Sequence, residues 1–213
     1  MASTADQAGQ TGPDGEAPGG RQPETARRPP RRGRALAEWG IALGVAVLLV
    51  LVVRTFVIQT CWIPSSSMLP TLRPYDRILV LKAFFNWHDL HQGDIVVFSK
   101  PPRDRCGGGA NDLVKRVIAL PGQTIYSGGN TVYVNGRPLA EPYLPRHDPL
   151  GPPIPDATRL HPFHVPAGEF YMMGDNRAIS CDSRYWGPIK GSSIIGRVVL
   201  LWWRDGHPDL HAF

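Results

Sequence analysis

The chain has 213 residues, room for one ordinary domain with additional segments. Its formal net charge of +5 does not point to nucleic acid, because the dense basic run abuts an apolar segment and the charges past Arg54 are mixed in sign. Gly-rich phosphate loops, zinc-finger spacings and interleaved basic and aromatic residues are missing, and no His/Cys spacing resembles a metal site, so neither metal nor cofactor is expected.

Residues 1–34 are rich in Gly, Pro, Gln, Thr and Ala and contain no aromatic residue. They offer too little apolar surface to offset the entropy of ordering, and read as a disordered cytoplasmic tail. The tail ends in an arginine cluster: Arg21, Arg27, Arg28, Arg31, Arg32 and Arg34. From Trp39 to Val53 no charged or strongly polar residue occurs. With Arg54 snorkelling outward, residues 35–58 are long enough for a transmembrane helix. The basic flank places the N-terminus in the cytoplasm and everything after Ile58 outside. A cleaved secretory signal fits less well, since no small-x-small site follows the apolar run. A lipoprotein signal ending at Cys61 is disfavoured by Gln59 and Thr60.

The segment after the anchor, 59–205, has a β pattern, with 206–213 left as a short C-terminal tail. Strands are predicted over Arg77–Leu81, Ile95–Ser99, Leu113–Leu120, Thr131–Val134, Glu169–Met173 and Ile194–Trp203. Pro121-Gly122 and Asn135-Gly136 are turn dipeptides, the second a hairpin signal after Val132-Tyr133-Val134. Residues 141–166 are dense in proline and read as a surface loop or a reduced insertion. Cys61 lies near the anchor; Cys106 and Cys181, outside the cytoplasm, are either bridged or free thiols. Phe84, Phe85 and Trp87, or Trp202 and Trp203, belong either to the core or to a membrane-interface contact.

Ser67 sits in Pro64-Ser-Ser-Ser-Met-Leu-Pro-Thr-Leu72, and Lys115 in Leu113-Val-Lys-Arg-Val-Ile-Ala-Leu-Pro-Gly122. A serine hydroxyl is a weak nucleophile until a base takes its proton. No histidine occupies a G-x-S-x-G context, which leaves lysine as the base. At its ordinary pKa only about one lysine in 2,500 is neutral at pH 7. Desolvation must therefore bring it down toward neutrality, at about 4 kcal/mol relative to the solvated ammonium. In a strand Lys115 shares a face with Leu113 and Val117, while Arg116 points the other way, toward solvent. A third segment, Met172 to Ile189, packs turn formers, Asp-to-Arg spacings and two hydroxyls among aromatic residues, as a rigid site wall would.

These blocks resemble the bacterial type I signal peptidases, membrane-bound Ser-Lys endopeptidases. Residues 64–72 resemble the family's P-S-x-S-M-x-P-T nucleophile box. Gly93-Asp-Ile-Val-Val-Phe98 resembles its G-D-[IV]-V strand, and Lys115 to Gly122 its K-R-[VI]-x-x-x-P-G box. Gly174-Asp-Asn-Arg-x-x-Ser-x-Asp-Ser-Arg184 resembles its G-D-N-R-x-x-S-x-D-S-R box. The resemblance covers roughly Arg54 to Trp203. It implies a mainly β fold, a signal-peptidase-like all-β catalytic domain after one N-terminal transmembrane helix. It also implies Ser67 as nucleophile, Lys115 as general base, and Ser65 with the Ser67 backbone N–H as oxyanion hole. Ser180 would orient the lysine, Asp182 and Arg184 would brace the site as an ion pair, and Asp175 and Arg177 would support the same loop. The implied partners are signal peptides of exported preproteins, cut after small-x-small sites, and the lipid bilayer; a position close to the secretion translocon is compatible with this. Ala178-Ile179 departs from the polar pair common in the family, and the short Pro-rich region implies a reduced or absent second subdomain. The nine residues from Ile58 to Ser67 reach at most about 30 Å, which keeps the nucleophile near the membrane surface. A specialised Ser-Lys peptidase and an anchored β-scaffold with a vestigial site are the competing readings.

Overall fold

The computed structural model describes residues 32–82, 85–107, 109–145 and 149–213, with the side chains of 32–35, 37, 55 and 56 excepted. Most of the expected tail, and Phe84, lie outside the described residues. The chain forms two units, Met1–Leu43 and Gly44–Phe213. Helix α1 (Arg32–Val52) contributes to both. Its described side chains are exposed in each unit. Among the described residues no helix is long and apolar enough to cross a membrane.

In the second unit a π-helical turn (Val53–Val57) ends the helix, and Ile58 opens the first strand instead of closing the apolar span. The strands are β1 (Ile58–Trp62), β2 (Arg77–Leu81), β3 (Ile95–Ser99), β4 (Asp112–Ala119), β5 (Thr124–Gly128), β6 (Thr131–Val134) and β7 (Arg137–Pro138). They continue as β8 (Phe163–His164), β9 (Glu169–Met173), β10 (Ile189–Lys190), β11 (Ile194–Arg204) and β12 (His207–Ala212), with the short helix α2 (Ser183–Trp186) between β9 and β10. One sheet runs β1-β2-β11-β3-β4-β9-β10, with β12 paired to β11; a smaller one runs β7-β6-β5-β8. The chain is mainly β, as expected. The final residues, set apart in the sequence as a tail, pair through β12 with Leu200–Arg204. Asn135 and Gly136 have φ of 50° and 75°, the left-handed pair a two-residue hairpin needs between β6 and β7.

Alternation along β3 explains why the large sheet is buried on both faces. Ile95 and Val97 join Ile63, Met68, Leu72, Ile78, Val80, Val198 and Leu201 in one cluster. Val96 and Phe98 join Val117, Phe170, Met172 and Trp186 in another. Phe85 and Trp87 pack against this second cluster, which makes them core residues. Trp202 and Trp203 are half-buried, with the Arg77 guanidinium 5.7 Å from each ring. A third cluster joins the small sheet to Leu150, Ile154 and Ala157, so the Pro-rich region contributes to a core as well as to the surface.

Candidate active site

The nucleophile box is held from below. Ile63, Met68 and Leu72 are fully buried, while Ser65 stays exposed and Ser67 half-buried. Ser66–Met68 form a 3-10 turn that lifts Ser67 between the anchoring apolar residues. Asp76 closes the segment, accepting from the Arg73 N–H at 2.9 Å and from Arg204 at 2.7 Å. Arg204 also donates to the Thr71 carbonyl.

Lys115 projects from β4 beside this turn. Leu113 and Val117, on the same face, pack in or against the second cluster. The lysine is only 4% exposed, and Nζ donates to Ser67 Oγ at 2.6 Å. Burial brings its pKa down to about 8. Asp182 opposes that fall, Arg184 adds to it, and Asp175 and Asp104 act as Asp182 does. Ser65 Oγ lies 3.2 Å from Ser67 Oγ.

Arg116 corrects the sequence expectation. It points away from Lys115, but to a buried partner and not to solvent. Nε and Nη2 grip the Asp175 carboxylate at 2.8 and 2.6 Å, and Nη1 donates to the Gly93 carbonyl at 2.7 Å. Thr71 Oγ1 donates to the same carboxylate at 2.5 Å. Asp175 thus joins the nucleophile box to β4 and the Gly93-Asp94 turn. Its neighbour Arg177 instead meets Glu141 and donates to the Gly174 carbonyl at 3.0 Å. Asp182 and Arg184 do pair, through two bonds of 2.8 Å, and Asp182 also accepts from the Gly174 N–H. Arg184 is held further by the carbonyls of Leu150 and Pro152.

The Gly174 loop grips the nucleophile turn directly. The Asn176 N–H donates to the Ser67 carbonyl at 3.0 Å, and Asn176 Nδ2 to the Ser66 carbonyl at 3.2 Å. A Cβ on Gly174 would collide with both Ser180 Oγ and the Ser67 carbonyl, so only glycine permits this approach. Ser180 Oγ is therefore close to the Ser66–Met68 turn, but among the described residues it is buried without a hydrogen-bond partner and makes no bond to Lys115. Ala178 and Ile179 are exposed, and the loop closes through backbone bonds from Ile179 and Ser180 to the Asn176 carbonyl. Cys106 and Cys181 form a disulfide with Cα atoms 6.2 Å apart. Thr71, Glu141, Tyr143 and Asn176 were not singled out in the sequence. Thr71 and Asn176 lie inside the quoted boxes; Glu141 and Tyr143 had no signal in the Pro-rich stretch.

Ser65, Ser67 and Lys115 open onto a cleft of about 880 Å³. Gln59–Trp62 of β1 line one part of it, and Asp112–Lys115 of β4 another. β1 is an edge strand paired only with β2, and β9 pairs with β4 only from Arg116 onward. Free backbone edges on both strands suit an extended peptide.

A mainly β domain presenting a serine hydroxyl in a peptide-sized cleft has the outline of a serine peptidase. The chain belongs to the signal peptidase family: the family described as signal peptidase, peptidase S26, matches residues 36–203. It is similar to signal peptidase I of Leptolyngbya laminosa, 37% identical over 84% of this chain and 86% of the other. It is also similar to a probable signal peptidase I of Synechocystis, 42% identical over 74% and 78%. A crystal structure of signal peptidase I from Enterococcus faecalis, 30% identical, covers 51% of this chain and 96% of its own with a TM-score of 0.41. The protein is thus a serine peptidase of the signal peptidase type, and its reaction is signal-peptide removal.

Two stability experiments on the detergent-solubilised full chain probe the site. Arg116→Met leaves the Asp175 carboxylate buried without its partner and is expected to lose about 3–5 kcal/mol in denaturant unfolding. Adding Asp175→Leu should restore part of it. Lys115→Met should instead be more stable than wild type at pH 7, by about 3 kcal/mol. The folded pKa of Lys115 lies below its unfolded value, so wild-type stability is lowest below about pH 8 and rises toward pH 10.5. The advantage of Lys115→Met should shrink over that window; an advantage independent of pH would contradict the burial account.

Proposed function

We propose that the enzyme cleaves exported preproteins through an acyl-enzyme on Ser67 with Lys115 as general base. The observation that carries this reading is the 2.6 Å bond from a buried Lys115 Nζ to Ser67 Oγ. With a pKa of about 8, roughly one lysine in ten is neutral at pH 7, a far larger share than for a solvated amine. Ser67 Oγ attacks the scissile carbonyl as its proton passes to Lys115 Nζ. The Ser67 N–H and the Ser65 hydroxyl stabilise the oxyanion; donors of this kind contribute on the order of 10²–10³ in rate. The lysine ammonium then returns the proton to the leaving amine. Water, deprotonated by Lys115 Nζ, now neutral again, hydrolyses the ester and releases the signal peptide. Ser180, whose Oγ is buried close to the Ser67 carbonyl and holds no other partner among the described residues, would turn that hydroxyl to Lys115 and orient it when substrate is bound. Asp182–Arg184, Asp175 and Arg177 brace the walls.

The substrate reading is cleavage after small-x-small sites, with the peptide extended between β1 and β4. Membrane anchoring is supported by the uncharged run Trp39–Val53, whose described side chains lie exposed. The N-terminal arginines orient it with the tail in the cytoplasm and the β-domain outside. Such an anchor holds Ser67 at the depth where a spanning signal peptide presents its cleavage site, near the bilayer surface and the translocon.

Cleavage of a precursor bearing an Ala-x-Ala site tests the reading. Wild type should cut after the second Ala, and folded Ser67→Ala and Lys115→Ala should be inactive. The wild-type kcat/KM should rise about tenfold per pH unit up to a shoulder near pH 8 and then level off, because the base acts only when neutral. Full activity in Lys115→Ala would remove the lysine from the mechanism.

A further inference from the structure

The connection between β3 and β4 is longer than a hairpin needs and does not lie idle. Its base is closed by the Lys100 N–H donating to the Asn111 carbonyl at 2.8 Å. Within it, Asp104 N–H bonds the Pro101 carbonyl, and Asp104 Oδ1 accepts from the Cys106 N–H at 2.8 Å. Asp104 and Cys106 line the same cleft as Ser65, Ser67 and Lys115. So do Gly107, Gly109 and Asn111, together with Gln59–Trp62 of β1. Gly107 and Gly109 have the largest backbone entropy to lose and no side chains to pack, so they do not make a fixed wall by themselves. Besides the bonds at Lys100 and Asp104, the disulfide to Cys181 holds this part of the loop, and Cys181 is flanked by buried Ser180 and by Asp182 of the Asp182–Arg184 pair. The bridge spans a sequence separation of 75 residues and fastens a pliant loop to a rigid part of the site.

We propose that the β3–β4 connection, through its lining residues Asp104, Cys106, Gly107, Gly109 and Asn111, is a specificity element of the peptidase: clamped by the Cys106–Cys181 bridge, it sets the width of the cleft it lines together with β1 and so limits the side chains accepted next to the cut. This rests on the Ser67–Lys115 reading of the same cleft. With the bridge open, Gly107 and Gly109 regain their freedom. A peptide must then order the wall as it binds, which weakens binding, and a movable wall rejects bulky side chains less well. The chemistry of opening is simple. A dithiol reductant gives two electrons and two protons to the S–S bond, leaving thiols at Cys106 and Cys181, and is itself oxidised to a cyclic disulfide.

The test compares oxidised wild type, dithiol-reduced wild type, its reoxidised form and the Cys106→Ser/Cys181→Ser variant, all as full chain in detergent. The substrates are Ala-x-Ala peptides and the same peptides with Leu at each position flanking the cut. Opening the bridge should raise KM for the Ala-x-Ala peptide on the order of tenfold with kcat changed much less. The preference for Ala over Leu should fall by about tenfold at one or more flanking positions, since a methylene or two in a fitted pocket is worth that much. Reoxidation should restore both. If thiol titration shows full reduction and both KM and the Ala/Leu ratios are unchanged, the proposal is wrong. It is equally wrong if kcat alone falls, which would mean that the bridge serves only the Ser180 loop. Should the double variant fail to fold, the reduction and reoxidation cycle on wild type still decides. Ser67→Ala assayed in parallel keeps the two readings apart: activity in that variant defeats the nucleophile assignment itself.

Discussion

Lys115 Nζ lies 2.6 Å from Ser67 Oγ in a place where its ammonium form has lost nearly all its hydration. Keeping that amine dry beside a hydroxyl is the constraint from which the surrounding architecture follows. Burial alone lowers the pKa of a lysine, and Asp182, Asp175 and Asp104 pull it back up. Their influence stays subordinate because the two nearer the core are already engaged, Asp182 by Arg184 and Asp175 by Arg116. Buried carboxylates left unpaired would favour the lysine's charge and defeat the purpose. The ion pairs thus neutralise the acids as they brace the walls.

The loop that carries these pairs also holds Ser67 in place. Ser67 belongs to a short 3-10 turn with no strand of its own, so its position depends on what grips it. Met68 and Leu72 fix it to the core from one side. Asn176 holds two of its carbonyls, and Asp175 holds Thr71 a turn further on. Gly174 makes that approach sterically feasible. One loop, Gly174 to Arg184, therefore fastens β4 and the Ser66–Met68 turn together. A displacement of either would lengthen the Ser67–Lys115 bond, on which the proposed proton transfer depends.

The strands with strong Val/Ile/aromatic alternation were legible in the sequence, and β2, β3, β6 and β9 start and stop where that pattern does. β1 was not, because Ile58 continues the apolar run of the helix and Gln59-Thr60-Cys61 carries no clear period. β12 was hidden too: His207-Pro-Asp-Leu-His reads as a polar end, and only pairing with β11 makes it a strand. In the site, residue types and spacing located Ser67 and Lys115. The partners of the charged groups were harder, since they are chosen by tertiary approach. Arg116 looked solvated because its neighbours in sequence say nothing of Asp175, 59 residues away. Arg177, expected to support the same loop as Asp175, bonds the Gly174 carbonyl, but its ion-pair partner Glu141 lies in a proline-rich stretch without periodicity and could not be read from the sequence. The Cys106–Cys181 bridge was one of two open alternatives until the two loops were seen side by side.

The central claim is that desolvation lowers the pKa of Lys115 far enough for a working fraction of it to be neutral near pH 7 and so to serve as the base. Titrating its ε-carbon by NMR, in full-length protein carrying 13C-labelled lysine and assigned by comparison with Lys115→Arg, measures this directly. The account predicts a midpoint near 8, well apart from the other lysines. A midpoint at the ordinary 10.5 would mean that the amine is solvated and charged, and that Lys115 does not activate Ser67.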